Sequence, residues 1–108
     1  MSGKTDCKDL NKLTHAINLW SIERNLHLQD PTKQALKSLE ELGEMAKALL
    51  KNDRDEIIDA VGDTYVTLVI LCQQLGIEMS DCVNAAYNEI KDRRGNIVDG
   101  TFIKEESE

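Results

Sequence analysis

Residues 38–72 read SLEELGEMAKALLKNDRDEIIDAVGDTYVTLVILC. Two stretches with helical periodicity, SLEELGEMAKALL (38–50) and DEIIDAVGDTYVTLVILC (55–72), flank a short polar turn, Lys51 to Arg54. So short a turn predicts two helices packed antiparallel. Glu40, Glu41 and Glu44 sit in the first stretch, and Glu56, Asp59 and Asp63 in the second. Each set recurs at three- and four-residue steps within an otherwise apolar stripe. Counted away from the turn at about 1.5 Å per residue, Glu44 and Asp59 fall at comparable depths. The two sets are therefore expected to face each other across the helix interface. Like charges crowded there repel, and desolvation adds to the cost. A hard divalent cation offsets both, because Mg²⁺ takes oxygen ligands and keeps waters for a substrate phosphate. The pattern points to a two-helix metal site and to phosphate chemistry.

Acidic residues on helices more commonly form a solvated face with cationic neighbours, and Lys47, Lys51 and Arg54 are placed to supply them. Taken singly, Glu40 and Glu56 fit that description. Asp63 does not. Asp is a poor helix former, and Asp63 precedes Thr64-Tyr65-Val66, where the helix turns apolar all round. A buried Asp at that point needs a partner or a metal.

Working outward, Asp53 is the expected N-cap of the helix that runs to about Leu75, and Gly76 its stop. Asp30-Pro31 opens the preceding helix, with Asp as N-cap and Pro at the first helical position. Its apolar stripe is Ala35, Leu36, Leu39, Leu42, Met45, Ala46 and Leu49. A first helix is expected from about Asp6 to Asn25 on the spacing of Leu10, Leu13, Ala16, Ile17 and Trp20, with Leu26 to Gln29 as connector. Ser80 is the expected cap of a fourth helix that runs to about Arg93. Asp99-Gly100, between two short alternating runs, predicts a type I′ hairpin. The expected fold is all-α: one domain over 1–108, a four-helix bundle-like core over about 6–94, and a hairpin and tail over 95–108. From Tyr65 to Cys72 the third helix is apolar almost all round and needs cover on most sides. Three partner helices of this length supply too little, so a homodimer or homotetramer with this helix at its centre is expected.

With 108 residues the chain has room for one small core. Its net charge of −7 argues against binding a nucleic-acid polymer, which rewards a basic surface. Cys7, Cys72 and Cys82 form no CxxC pair and read as thiols, with Cys72 in the core; His15 and His27 are too isolated for a zinc site and suit the surface or a cap. MSGKTDCKDL has no apolar segment of the secretory kind, and the run Tyr65 to Cys72 is too short to cross a bilayer. A soluble, cytoplasmic protein without membrane partners is expected.

Glu40-Glu41-Leu42-Gly43-Glu44, a short turn, and then Gly62-Asp63-Thr64-Tyr65-Val66-Thr67-Leu68-Val69 resemble the MazG-like nucleoside triphosphate pyrophosphohydrolases. These belong to the all-α NTP pyrophosphatase superfamily, which also holds the dimeric dUTPases, and their pattern is EExxE, a spacer, then ExxD. The resemblance covers about Pro31 to Arg94, and the closing hairpin is similar to that of short phage or bacterial members. It implies an oligomeric helical bundle that binds Mg²⁺, with Mn²⁺ as a substitute, and cleaves a nucleoside triphosphate to the monophosphate and pyrophosphate. Glu41 and Glu44 match the metal-binding ExxE, and either could also receive the proton of the attacking water, with Glu40 a weaker candidate for that base. The second motif has two registers. With Asp63 as its Asp, the Glu position falls on Ala60, and Asp59 supplies the missing ligand, assisted by Glu56. Alternatively Glu56-Ile57-Ile58-Asp59 spells ExxD one turn earlier. The first register is preferred.

Other side chains suit the nucleotide. Trp20 either stacks on the base or fills the core. Lys37, one turn before Glu41, either reaches phosphate or pairs with Glu41. Asn88 offers a hydrogen bond to sugar or phosphate; Lys91 and Arg94 either meet phosphate or complement the dipole of the fourth helix, and Arg93 does the latter. Two rivals to the triphosphate pyrophosphohydrolase remain: a catalytically inactive helical interaction protein, favoured by Ala60, and a dUTPase-like enzyme restricted to one base.

Overall fold

The computed structural model describes residues 3–106. Four α-helices and a C-terminal two-stranded hairpin are formed, the predicted order of elements. The chain divides into two compact units, Met1–Glu78 and Met79–Glu108.

The first unit holds α1 (Leu10–Glu23), a 3₁₀ turn (Leu26–Leu28), α2 (Pro31–Lys51) and α3 (Arg54–Leu75). Helix α1 begins four residues later than the expected Asp6. Its start is fixed by Asp9, whose carboxylate accepts from the N–H groups of Asn11 and Lys12 at 3.0 and 3.2 Å. It ends ahead of Asn25, which is left-handed at φ 60° and breaks the helical path. Helix α2 starts as predicted, with Asp30 accepting from the N–H of Thr32 at 2.9 Å and Pro31 at the first position. Asp53 caps α3 by accepting from the N–H of Glu56 at 3.1 Å.

Both helices close with one motif. Asn52, at φ 55°, donates to the Leu49 carbonyl while Asp53 donates to that of Ala48; Gly76, at φ 69°, donates to Gln73 while Ile77 donates to Cys72. Paired bonds of this kind satisfy carbonyls that a helix end leaves open.

Helix α3 is the centre of this unit. Small residues are buried on both helices of the α2–α3 pair, Ser38 and Ala48 on α2 and Ala60 and Thr67 on α3, and side chains this short let two helix axes draw close. The Ser38 hydroxyl donates to Thr67 Oγ1 at 2.9 Å, and Gln34 Nε2 donates to the Thr67 carbonyl at 3.1 Å. Against α1 and the 3₁₀ turn, Tyr65 and Thr14 share a hydrogen bond of 2.7 Å; Gln73 Nε2 donates to the Asn18 carbonyl, and Gln74 Nε2 to that of Leu26.

The apolar stripe of α2 faces elsewhere. Leu36, Leu39, Leu42 and Leu49 are each about half exposed or more, and Leu50 is 89% exposed. On α3, Ile58, Val61, Leu68 and Leu75 are exposed as well, at the seven-residue repeat of a helix–helix seam. The expected all-round cover of α3 is thus incomplete within one chain. His15 is exposed as expected, whereas His27 is half-buried in the 3₁₀ turn with Nδ1 shielded from solvent. Among the described residues no single helix is long and apolar enough to cross a membrane.

The second unit holds α4 (Met79–Ile90) and an antiparallel hairpin, β1 (Gly95–Val98) and β2 (Thr101–Lys104). Helix α4 starts at Met79, so Ser80 lies inside its first turn instead of capping it. It ends at Ile90, three residues before the expected Arg93, whose N–H closes a turn back to Ile90. Asp99 and Gly100, at φ 50° and 78°, form the predicted turn, with Val98 opposite Thr101. At Gly95 a Cβ would collide with the Ile103 carbonyl and the Phe102 ring, so only glycine fits there.

Candidate active site

Two clefts open on the first unit, and they share Glu41 and Asp63. The smaller, about 320 Å³, lies over the end of the α2–α3 pair nearest the turn. The antiparallel register brings Glu41 and Glu44 from α2 together there with Glu56, Asp59 and Asp63 from α3, alongside Lys47 and Lys51. All five carboxylates proposed as ligands from the sequence line this one cleft. Glu40 does not: its side chain is 65% exposed and pairs with Lys37 at 3.5 Å, the solvated arrangement weighed for it. Ala60, at the position where the motif carries Glu, is buried on the cleft floor.

Within the cleft the acids are held in different ways. Glu41 is the most sheltered of the paired glutamates, with 16% of its side chain exposed, and lies 3.6 Å from Lys37 Nζ. Glu44 pairs with Lys47 at 3.5 Å and Glu56 with Lys51 at 3.6 Å. Asp63 makes no such ion pair among the described residues. It is exposed, not buried as the sequence suggested. Even so, partial desolvation of its carboxyl, then the negative charges of Asp59 and Glu41, and a hydrogen bond with Asp59 raise its pKa above the ordinary 3.8; Lys37 offsets part of the rise.

Among the described residues, no three acidic, His or Cys side chains are already gathered as a metal cage. The glutamates lean on lysines instead. The donor set nevertheless suits a hard divalent cation, because all its groups are carboxylates. The Asp63 pKa is raised first by desolvation and then by the charges of Asp59 and Glu41, and such a cation would relieve that repulsion.

The larger cleft, about 560 Å³, continues along the same two helices to α1 and the 3₁₀ turn. Trp20, Lys33 and Lys37 stand on its rim, Leu26, Val66 and Ile70 give it apolar walls, and Gln34 and Gln74 supply carboxamides. Trp20 is 45% exposed, which excludes its role as core filler. The guanidinium of Arg24 lies 4.2 Å from the Trp20 ring centroid and occupies one ring face. Lys37 pairs with Glu40 and Glu41, the second of the two roles weighed for it, and also lines this cleft.

Lys33, Gln34 and Gln74 escaped notice in the sequence. The signal for Lys33 was a four-residue step, since Lys33, Lys37 and Glu41 share one helical face. For Gln74 it was a polar pair, Gln73-Gln74, closing an apolar helix. Asn88, Lys91 and Arg94 belong to the second unit. Asn88 lies on α4 and Lys91 just beyond it; Arg94 lines a cavity with Arg93, Lys104 and the acids Glu89, Asp92 and Glu105.

The sequence profile of the phosphoribosyl-ATP pyrophosphohydrolase family matches residues 13–93. That span begins within α1 and so takes in Trp20, earlier than the Pro31 expected from the acidic motifs. Among curated proteins, the chain is 42% identical over 72 residues to an uncharacterized 18.2 kDa protein in the rep-hol intergenic region of Haemophilus phage HP1 (strain HP1c1). The match covers 65% of this chain and 44% of that protein, so the chain spans less than half the length of this relative. No solved structure gives a significant match.

Proposed function

Because the chain belongs to the phosphoribosyl-ATP pyrophosphohydrolase family, we propose that it hydrolyses nucleoside triphosphates to monophosphate and pyrophosphate, as a MazG-like member. The family supports a pyrophosphohydrolase acting on a nucleotide. The step to a triphosphate substrate rests on one observation: an acidic cleft and an aromatic, lysine-rimmed cleft adjoin and share Glu41 and Asp63. That pairing fits a ligand with a polyphosphate at one end and a base at the other.

Glu41, Glu44, Asp59 and Asp63, with Glu56 beside them, would hold Mg²⁺, or Mn²⁺ in its place. The ion, when bound, neutralises phosphate charge and polarises the α-phosphoryl group. Exposed Lys–Glu pairs of the kind at Glu44 and Glu56 are weak and cede readily to a divalent cation. Lys33 and Lys37 meet phosphate oxygens as charged donors. Trp20 offers its ring to the base, a contact that tolerates any base because each has a π face. Water attacks the α-phosphorus, its proton passes to Glu41 or Glu44, and the bond to the β-phosphate bridge oxygen breaks with pyrophosphate as leaving group. Glu40, turned to solvent, has no part in this.

The outward stripe of α2 and α3 supports association of the chain into a homodimer or homotetramer, since contiguous apolar surface of that extent marks an interface.

Pyrophosphate release from a panel of nucleoside triphosphates and from phosphoribosyl-ATP, with and without Mg²⁺, tests the proposal. Mg²⁺-dependent release from several triphosphates is expected. Release from phosphoribosyl-ATP alone, or from dUTP alone, would replace it with a narrower enzyme, and no release from any would favour a helical interaction protein.

A further inference from the structure

Trp20 is half exposed, yet its ring is held. It is the sole tryptophan of the chain, and it lines the larger cleft, which Arg24 does not. The Arg24 guanidinium lies 4.2 Å from the centroid of the Trp20 ring, and its Nη1 donates to the Trp20 main-chain carbonyl at 3.0 Å. One side chain thus grips both the backbone and the ring of the same residue. Arg24 is itself anchored. Glu23 Oε2 stands 3.6 Å from the same Nη1, and the Arg24 N–H donates to the Ser21 carbonyl at 3.1 Å where α1 ends. Ser21 is fully buried, so the helical turn that carries both side chains is seated on the rest of the unit.

An aromatic ring on a cleft rim exchanges rotamers when nothing restrains it, and a base that stacks on it must first arrest that motion. A guanidinium fixed over one face removes the cost beforehand. We infer that Arg24 is a positioning residue: it holds the Trp20 ring ready and covers one of its faces, so that one nucleotide base stacks on the other. The inference rests on the reading of the larger cleft as the nucleoside end of a nucleotide site. Arg24 acts through Trp20 and touches no part of the ligand. The competing role for an arginine here is a direct bond to phosphate, but the cations that line the cleft are Lys33 and Lys37.

A double-mutant cycle separates the two roles. AMP, GMP, CMP and UMP are titrated by calorimetry, which needs no catalysis, and the tightest binder is carried through Trp20→Ala, Arg24→Ala and the double variant. Arg24→Ala alone should weaken binding by roughly two- to fivefold, the scale of an exposed cation–π contact, and Trp20→Ala by about tenfold. In the Trp20→Ala background the Arg24 substitution should cost nothing further. In turnover, Arg24→Ala should raise KM and leave kcat as it was, because a contact with the base, away from the reacting phosphorus, is equal in ground and transition states. Emission from the sole tryptophan gives a second reading that needs only the single variant: acrylamide should quench it more readily in Arg24→Ala than in the unaltered protein. Unchanged quenching would overturn the inference. A loss on Arg24→Ala that is the same with and without Trp20 would overturn it too, making Arg24 a direct ligand of phosphate. So would failure to bind any of the four monophosphates. A coupled loss without release of pyrophosphate from any nucleotide would support the role of Arg24 and overturn the hydrolytic reading, while release with uncoupled losses would do the reverse.

Discussion

On α2, the sheltered face carries Gln34, Ser38, Glu41, Met45 and Ala48, while Leu36, Leu39, Leu42, Leu49 and Leu50 stand in solvent. A surface helix usually has the reverse arrangement, with its leucines turned to the core. The inner face is made of small and polar groups because it has two tasks. Ser38 and Ala48 let α3 come close, and Glu41 is thereby set beside Asp63. The outer face is too apolar to be left in water. Full burial of one leucine is worth about 1.5–3 kcal/mol, so a stripe of five rivals the roughly 5–15 kcal/mol that separates a folded domain from its unfolded chain. The inner face is shaped for chemistry and the outer face for association, and the two should be separable by mutation.

The largest effect is expected on the inner side. Glu44→Ala or Asp63→Ala should lower turnover by about 10²-fold or more, the scale for losing a group that stabilises transition-state charge. Circular dichroism and sedimentation mass should stay as they were. A variant with near-normal turnover would remove the carboxylate cleft from the mechanism, and one that changed mass would show that the two faces are not independent.

The outer side should respond in the opposite sense. Replacing Leu39 and Leu42 together by Glu places two carboxylates in the stripe and removes two leucines from it. Sedimentation equilibrium should then report a mass near 12.2 kDa, where the unaltered protein gives a multiple of it. A micromolar solution of the unaltered chain already at the single-chain mass would dispose of the association argument and leave the stripe unexplained.

Much of this contrast was legible in the sequence and some was not. Helix α2 and the end of α3 were fixed by local chemistry that a sequence displays: Asp30 before Pro31, Asp53 before the acidic first turn, Gly76 where φ turns positive. The five carboxylates followed from periodicity and a short turn. The start of α1 was harder, because Asp6 and Asp9 are both plausible caps and only the latter's side chain reaches the helix N–H groups. The direction of the leucine stripe was not legible at all. Periodicity reports that a helix has an apolar face, not what covers it, and here the contact with α3 fell to Ser38 and Ala48. The exposure of Asp63 was missed for the same reason, since the apolar run after it implied more cover than one chain provides.

The smallest effect sharpens the inner side alone. The fold raises the Asp63 pKa above 3.8, first by desolvation and then through Asp59 and Glu41. A carboxyl whose pKa is higher folded than unfolded binds its proton more tightly in the folded chain. Below pH 3.8 both states carry the proton and nothing is lost. As pH rises through the folded pKa, the unfolded chain ionises freely while the folded one must ionise against its neighbours, so stability falls across that window. In metal-free buffer the melting temperature of Asp63→Asn should therefore decline less over this window than that of the unaltered chain. Added Mg²⁺ should act in the contrary direction. It binds the ionised carboxylates, so the rise in melting temperature it causes should grow as pH climbs through the same window, and should shrink in Asp63→Asn. A Mg²⁺ effect independent of pH, and equal in the two proteins, would mean that the cation is held elsewhere. The crowding of Asp63, Asp59 and Glu41 would then be a cost of close helix packing and not the mark of a metal site.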